Sequence, residues 1–389
     1  MHRPPPYLLA SLTCLSMACG SPAVAPTRPE PPVVTPLPAP TGPYPLGVET
    51  RRLADTVVRV WYPAVRRGEP AAYARADEEL RARATAALGL PPEAIPDPTT
   101  IATHAGAMAA PADGAWPVVL FAHGLNGYLA QNTAEVEDLA SHGFVVVSVA
   151  MPGESASVPW PEGGSLPSDP ALVGEIFADG EAAGPHFVAM ITAPDRAARD
   201  AARAAFDAAS PHVAAHGRAW SARLVAVAAA LGGLPADDRL RPHLDLAHVG
   251  VMGMSFGGGV ALDACEAIPA CAGSANLDGY VPGAFVGARF TRPHLVFESD
   301  TAVGANAWVV ERDDVTAWRV HLAGAQHLGL TDLIHLGGDP AMVGTMAAPR
   351  VHAILSTWLR AFFEHTLRGG APVPRTSTDA DVAVTYAGG

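Results

Sequence analysis

Val249-Gly-Val-Met-Gly-Met-Ser-Phe-Gly-Gly-Gly259 is the stretch on which the fold of this chain turns. An apolar, partly β-branched run leads into Gly253-x-Ser255-x-Gly257 and then into a helix-forming segment, so the pattern predicts a strand, a sharp turn and a helix. A serine on such a turn sits in a strained backbone conformation. Small residues two before and two after it avoid clashes, and its hydroxyl projects above the edge of the sheet. Ser255 is therefore the candidate nucleophile. The bland alternative is a glycine-rich turn with an incidental serine, and the strand before and helix after weigh against it.

A serine hydroxyl is too weakly acidic to attack an ester unaided, so the turn predicts a histidine base further along, oriented by a carboxylate, in the order Ser, Asp/Glu, His. Asp278 ends a second apolar run, Ala272-Gly-Ser-Ala-Asn-Leu-Asp278, where the next strand would bring it to the carboxyl edge of the sheet. His327 follows the strand-like Trp318-Arg-Val-His-Leu322 in the loop Gly324-Ala-Gln-His-Leu-Gly329. With fifteen histidines in the chain, position has to decide. Beyond the turn, His294 opens a strand, His321 alternates within one, His335 lies deeper in the loop, and His352 and His365 fall on the last helix. The acid has an alternative one strand later, Asp300, in His294-Leu-Val-Phe-Glu-Ser-Asp300.

Two backbone N–H groups are also required, aimed at the negative oxygen of a tetrahedral intermediate. Phe256, directly after the serine, supplies one candidate. Pro117-Val-Val-Leu-Phe-Ala-His-Gly-Leu-Asn-Gly127 reads as an earlier strand followed by a loop, and Leu125 is the second. A plain His-Gly turn closing a buried strand is the competing reading of that loop.

Five segments together resemble one family: Phe121-Ala-His-Gly-Leu-Asn-Gly-Tyr128, Asp138-Leu-Ala-Ser-His-Gly-Phe-Val-Val-Val147, Gly253-Met-Ser-Phe-Gly-Gly258, Asn276-Leu-Asp-Gly279 and Gln326-His-Leu-Gly-Leu-Thr-Asp332. They are similar to the successive signatures of the plasma-type platelet-activating-factor acetylhydrolases, from about Tyr44 to Leu367. The resemblance implies an α/β-hydrolase fold and metal-free Ser-Asp-His chemistry on short or oxidised sn-2 acyl chains of phospholipids. It implies Ser255 as nucleophile, Asp278 as acid, His327 as base, and Leu125 and Phe256 as oxyanion donors. Two positions depart from the family pattern. Met254 stands where the family usually has His, and Met151-Pro-Gly-Glu154 replaces a His-containing turn; the resemblance places both near the acyl or head-group pocket. A broad esterase, or a polyester or dienelactone hydrolase, is the alternative substrate reading. A catalytically silent surface lipoprotein built on the same scaffold is the alternative of another class.

The 389 residues, 49% apolar, can bury one large core, and no internal repeat is visible. A net charge of −13 and a pI near 5.5 argue against nucleic acid and against electrostatic docking on anionic lipid. A small neutral or zwitterionic ester substrate fits the balance better, and no cofactor or metal is called for. His212 and His216 have helical i,i+4 spacing, but no glutamate completes a zinc motif around them. From Val57-Val-Arg-Val-Trp-Tyr62 onward, strand-like and helix-like segments alternate, the pattern of a mostly parallel sheet with helices on both faces.

Residues 1–18 read as a signal peptide, since Arg3 precedes an apolar run from Tyr7 to Ala18 that falls short of the about 20 residues needed to span a bilayer. Ala18-Cys19-Gly20 resembles a bacterial lipoprotein cleavage site, although Ser16 stands where Leu is usual. The expectation is export to the periplasm or cell envelope with a membrane tether through a lipidated Cys19, or else ordinary secretion. Residues 19–45 are Pro-rich and read as a tether, 46–370 as the hydrolase domain, and 371–389 as a loose tail. An insertion over about 153–248 contains a Pro/Gly/Ser loop near Val158–Pro170 and an Ala-rich helical part near Asp195–Leu231; its first half is expected to line the pocket mouth. Cys265 and Cys271 flank a short turn and either pair in an oxidising envelope, which would stabilise by roughly 2–3 kcal/mol, or stay as buried thiols.

Overall fold

The computed structural model describes residues 36–74, 97–283 and 290–388. The expected signal peptide, residues 1–18, lies outside the described residues, as does most of the Pro-rich tether, Cys19 included. Thirteen strands are present among the described residues: β1 (Leu46–Leu53), β2 (Thr56–Pro63), β3 (Pro70–Ala72), β4 (Ala102–Ala107), β5 (Trp116–Ala122), β6 (Val145–Val149), β7 (Ser157–Pro159), β8 (Ser165–Pro167), β9 (Leu244–Met254), β10 (Cys271–Leu277), β11 (His294–Glu298), β12 (Ala317–Leu322) and β13 (Val382–Ala387). All but β7 and β8 form one sheet in the order β13-β12-β11-β10-β9-β5-β6-β2-β1-β4-β3. The central run from β6 through β5, β9, β10 and β11 to β12 is parallel, while β2 and β13 pair antiparallel to β6 and β12.

The central strands are continuous apolar runs because both faces are covered. In β5, Val119 and Phe121 point into a core closed by helices α1 (Thr133–Ser141) and α6 (Ala348–Arg368), whereas Val118, Leu120 and Ala122 point into a second core. That second core is closed by α4 (Pro211–Gly232), through Trp220, Leu224 and Val227, and by α5 (Phe256–Ala267), through Val260, Ala261 and Ala264. Helix α6 ends as its sequence requires, with Gly369 left-handed at φ 65°.

The insertion is more helical than expected. After the β7–β8 hairpin, α2 (Pro170–Ile191) starts with proline in its first turn and an Asp169 cap that accepts from the Ala171 N–H at 2.8 Å. The Ala-rich part is two helices, α3 (Arg196–Ala209) and α4, broken at Ser210-Pro211 because proline restricts the residue before it to non-helical geometry. Two of its histidines pair with carboxylates: His212 with Asp179 at 2.9 Å, and His216 with Glu154 at 2.6 Å and Glu175 at 3.0 Å.

Two expected boundaries are corrected. The expected loose tail after residue 370 is ordered within its described part, since β13 adds to the sheet edge in register from Ala317↔Ala387 to Leu322↔Val382 and Tyr386 packs on Trp318 at 5.0 Å. Alternating Val and Tyr side chains give this segment an apolar face to bury. The tether also ends before Pro45. Leu37 is buried beside Tyr73 and Ile101, and Thr41 donates to Asp138 through its N–H at 2.9 Å and its hydroxyl at 2.7 Å. Cys265 and Cys271 are joined in a disulfide that closes the turn after α5.

His216 links stability to pH. Burial works to lower its pKa, but hydrogen bonds and charge from Glu154 and Glu175 outweigh burial and raise it. The raised folded pKa means that its contribution is complete below the unfolded value of about 6.5 and is lost as pH rises through the folded one. Thermal melts of wild type and His216→Gln should therefore differ most at about pH 6 and converge toward about pH 9. A gap that stays constant over that range would contradict the linkage.

Candidate active site

The turn after β9 places Ser255 at φ 54° and ψ −123°, a region costly for a residue with a side chain. Close packing holds it there. A Cβ on Gly253 would lie 2.4 Å from the Gly257 backbone, and one on Gly257 would lie 2.3 Å from the Ala122 carbonyl oxygen at the end of β5. Only glycine lets α5 start so close to that strand. The Ser255 N–H donates to the Leu277 carbonyl at 2.8 Å, fastening the turn to the end of β10.

Asp278 directly follows β10, also left-handed at φ 58°. The Asn276 side chain bridges the Gly279 backbone, accepting from its N–H at 2.7 Å and donating to its carbonyl at 2.8 Å, which fixes the turn. The buried carboxylate accepts from the Ser299 N–H and hydroxyl, both at 2.7 Å, and from His327 Nδ1 at 2.7 Å. On the other side of the imidazole, Nε2 lies 2.9 Å from Ser255 Oγ. Because a carboxylate only accepts, Nδ1 carries the proton and Nε2 is free to accept the serine hydroxyl proton.

Asp300 lies elsewhere. Its carboxylate accepts from His321 Nε2 at 2.8 Å and from the Gly324 N–H at 2.9 Å, and so shapes the root of the loop that carries His327. Met254 faces away from the expected pocket, wholly buried in the core with Met252, Leu277 and Phe297, since strand alternation turns it under the sheet edge. Glu154 of the other departing segment reaches His216, and its carbonyl accepts from the Asn126 N–H at 2.9 Å.

The loop after β5 borders the serine: a Cβ on Gly124 would sit 3.2 Å from Ser255 Cβ. Its next peptide is held firmly. The Gly124 carbonyl accepts from His123 Nδ1 at 2.7 Å and from the Gly127 N–H at 2.8 Å, and the Gly124 N–H donates to Gln131 Oε1 at 2.7 Å. In a planar trans peptide the Leu125 N–H must point opposite to that carbonyl. Among the described residues, neither the Leu125 nor the Phe256 N–H has a protein acceptor. His123 is wholly buried, accepts from the Ser155 hydroxyl at 2.7 Å, and has its pKa pushed down to about 4 by burial, so it stays neutral. Trp220 of α4 meets His123 and Phe256 edge-on, with ring centroids 5.3 and 4.8 Å away. Sequence patterns flagged His123 only as part of a His-Gly turn, and nothing local marked Gln131 or Ser155.

A serine turn between β9 and α5, an aspartate after β10 and a histidine after β12 of a mostly parallel sheet define the architecture. The chain has the α/β-hydrolase fold. The family model "Platelet-activating factor acetylhydrolase, isoform II" matches residues 34–161, which include His123–Gly127 and stop short of Ser255. Among solved structures, a ferulic acid esterase from Streptomyces cinnamoneus is similar over 91% of this chain and 99% of its own, with a TM-score of 0.61 and 23% identity. No match is found among curated proteins.

Such a site can take the Ser255 proton at His327 and stabilise the negative oxygen of a carbonyl that Ser255 attacks. A fluorophosphonate probe should modify Ser255, as read by peptide mass spectrometry. Asp278→Asn should slow that labelling about 10⁴-fold by imposing the wrong imidazole tautomer. Asp300→Asn, which only loosens the root of the His327 loop, should slow labelling far less than Asp278→Asn; the reverse pattern would make Asp300 the acid.

Proposed function

We propose that this protein is a serine hydrolase of carboxylic esters, of the platelet-activating-factor acetylhydrolase type, acting on short or oxidised acyl groups of phospholipids or related esters. The observation that carries the reading is the continuous Ser255–His327–Asp278 chain, at 2.9 and 2.7 Å, beside two unengaged backbone amides. The family match over residues 34–161 and the esterase neighbour support ester hydrolysis.

In this reading Ser255 Oγ attacks the ester carbonyl while its proton passes to His327 Nε2. Asp278 stabilises the imidazolium, and the Leu125 and Phe256 amides receive the developing oxyanion. Phe256 adds the partial positive charge of the first turn of α5. The tetrahedral intermediate collapses, His327 returns the proton to the leaving alkoxide, and an acyl-enzyme remains on Ser255. A water then attacks the acyl carbon, giving its proton to His327, and the second collapse frees the acid and the serine.

A second substrate reading, an esterase of aromatic or other bulky acyl groups, takes its cue from the structural neighbour, a ferulic acid esterase. The proposed setting is the cell envelope, with the domain exported and held at a membrane through a lipidated Cys19.

A p-nitrophenyl ester chain-length series followed by an acetyl phospholipid and a feruloyl ester tests both readings. Wild type should give a nitrophenolate burst and Ser255→Ala none, a loss of about 10⁶ in kcat. Preference for acetyl and the phospholipid supports the first reading, and preference for the feruloyl ester the second. A folded wild type inert on all of them would overturn the hydrolase reading in favour of a binding scaffold.

A further inference from the structure

The reaction proposed above needs His327 and the Leu125 amide at a fixed separation, with the base on the serine and the amide on the carbonyl oxygen. These two groups sit on loops remote in sequence. A short path of buried and half-buried hydrogen bonds joins the loops, and Asp332 is its centre.

Asp332 is wholly buried five residues beyond His327. Its carboxylate accepts from the Thr133 N–H at 2.7 Å, the Ala134 N–H at 3.1 Å and the Tyr73 hydroxyl at 2.9 Å. Its own N–H donates to the Gln131 carbonyl at 3.1 Å. Gln131 then accepts, through its side chain, from the N–H of Gly124, the residue before Leu125. The two ends of one residue thus hold the base loop and the oxyanion loop together.

The helix does not need this remote partner for capping alone. Asn132 stands at the N-cap of α1 and is a residue type that caps well, yet it makes no side-chain cap bond and instead donates to the Leu330 carbonyl at 2.7 Å. Capping of α1 is handed to Asp332, and the local cap residue is spent on the turn that begins at His327. Both exchanges convert a local contact into a tie between the loops.

We propose that Asp332 is a positioning residue which, through Gln131 and the first turn of α1, sets the base His327 in register with the oxyanion amide of Leu125. The proposal rests on the hydrolase reading.

The test uses Asp332→Asn, Gln131→Leu and the double variant in the full chain, assayed on a p-nitrophenyl ester with active sites titrated by a fluorophosphonate. Loss of register lowers kcat and kcat/KM together by about 10- to 100-fold with KM nearly unchanged. Because both residues act along one path, the double variant should lose little beyond the worse single one. A lower Tm with wild-type kcat and KM per titrated site would reduce Asp332 to a helix cap and overturn the proposal, as would fully additive losses. If Asp332→Asn does not fold, Tyr73→Phe removes one donor to the same carboxylate and should lower kcat more mildly, again at constant KM; wild-type kcat there counts against the proposal. Ser255→Ala separates the layers: activity surviving in it refutes the hydrolase reading itself, whereas its inactivity beside a fully active Asp332→Asn refutes only the positioning role.

Discussion

The left-handed backbone at Ser255 is the constraint on which the site depends. Such a conformation costs roughly 1–3 kcal/mol in a residue with a side chain, and persists only where surrounding structure over-determines it. Here β5 lies so close that positions 253 and 257 have no space for a Cβ, and the Ser255 N–H is fastened to the Leu277 carbonyl. The same geometry that strains the turn lifts Oγ above the sheet and starts α5 at Phe256, leaving that amide without an intrahelical acceptor. The Ser255 hydroxyl held beside His327 and the unengaged Phe256 amide are thus two consequences of one turn.

Beside that turn, two buried titratable side chains have protein hydrogen bonds in place of water. Asp278 is a buried carboxylate whose oxygens are met by Ser299 and His327, so its charge is compensated and aimed. His123 follows the opposite course: with no carboxylate partner, burial keeps it neutral, and it spends both ring nitrogens on Ser155 and the Gly124 carbonyl. The first arrangement holds a proton on His327 Nδ1, the second holds a peptide plane. The inserted helices close over both, with Trp220 against His123 and Phe256, and Asp207 of α3 accepting from the Tyr280 hydroxyl at 2.8 Å just beyond the acid.

Much of this was legible in the chain because it is encoded locally. The strand and turn at Val249–Gly259, the buried run Phe144–Val149 and the last amphipathic helix each carry their signal within about a dozen residues, as periodicity or as glycines that a turn demands. Boundaries are less legible where tertiary packing overrides composition. Residues 371–389 look loose until β12 offers an edge, Pro-rich residues 36–45 look like linker until Leu37 and Thr41 find partners, and α2 follows a stretch dominated by Pro, Gly and Ser.

By itself, the sequence determined the serine turn, the two-sided parallel sheet and the short set of histidines and carboxylates available to it, since glycine spacing and apolar runs act on their own neighbourhoods. Tertiary structure alone decided which candidates meet. Asp278 rather than Asp300 faces His327, Met254 turns into the core, Gln131 reaches Gly124, and Asp332 rather than Asn132 caps α1. Those choices depend on how far each strand extends beside its neighbour and on which buried donors are left without acceptors, and both are fixed only when segments remote along the chain pack together.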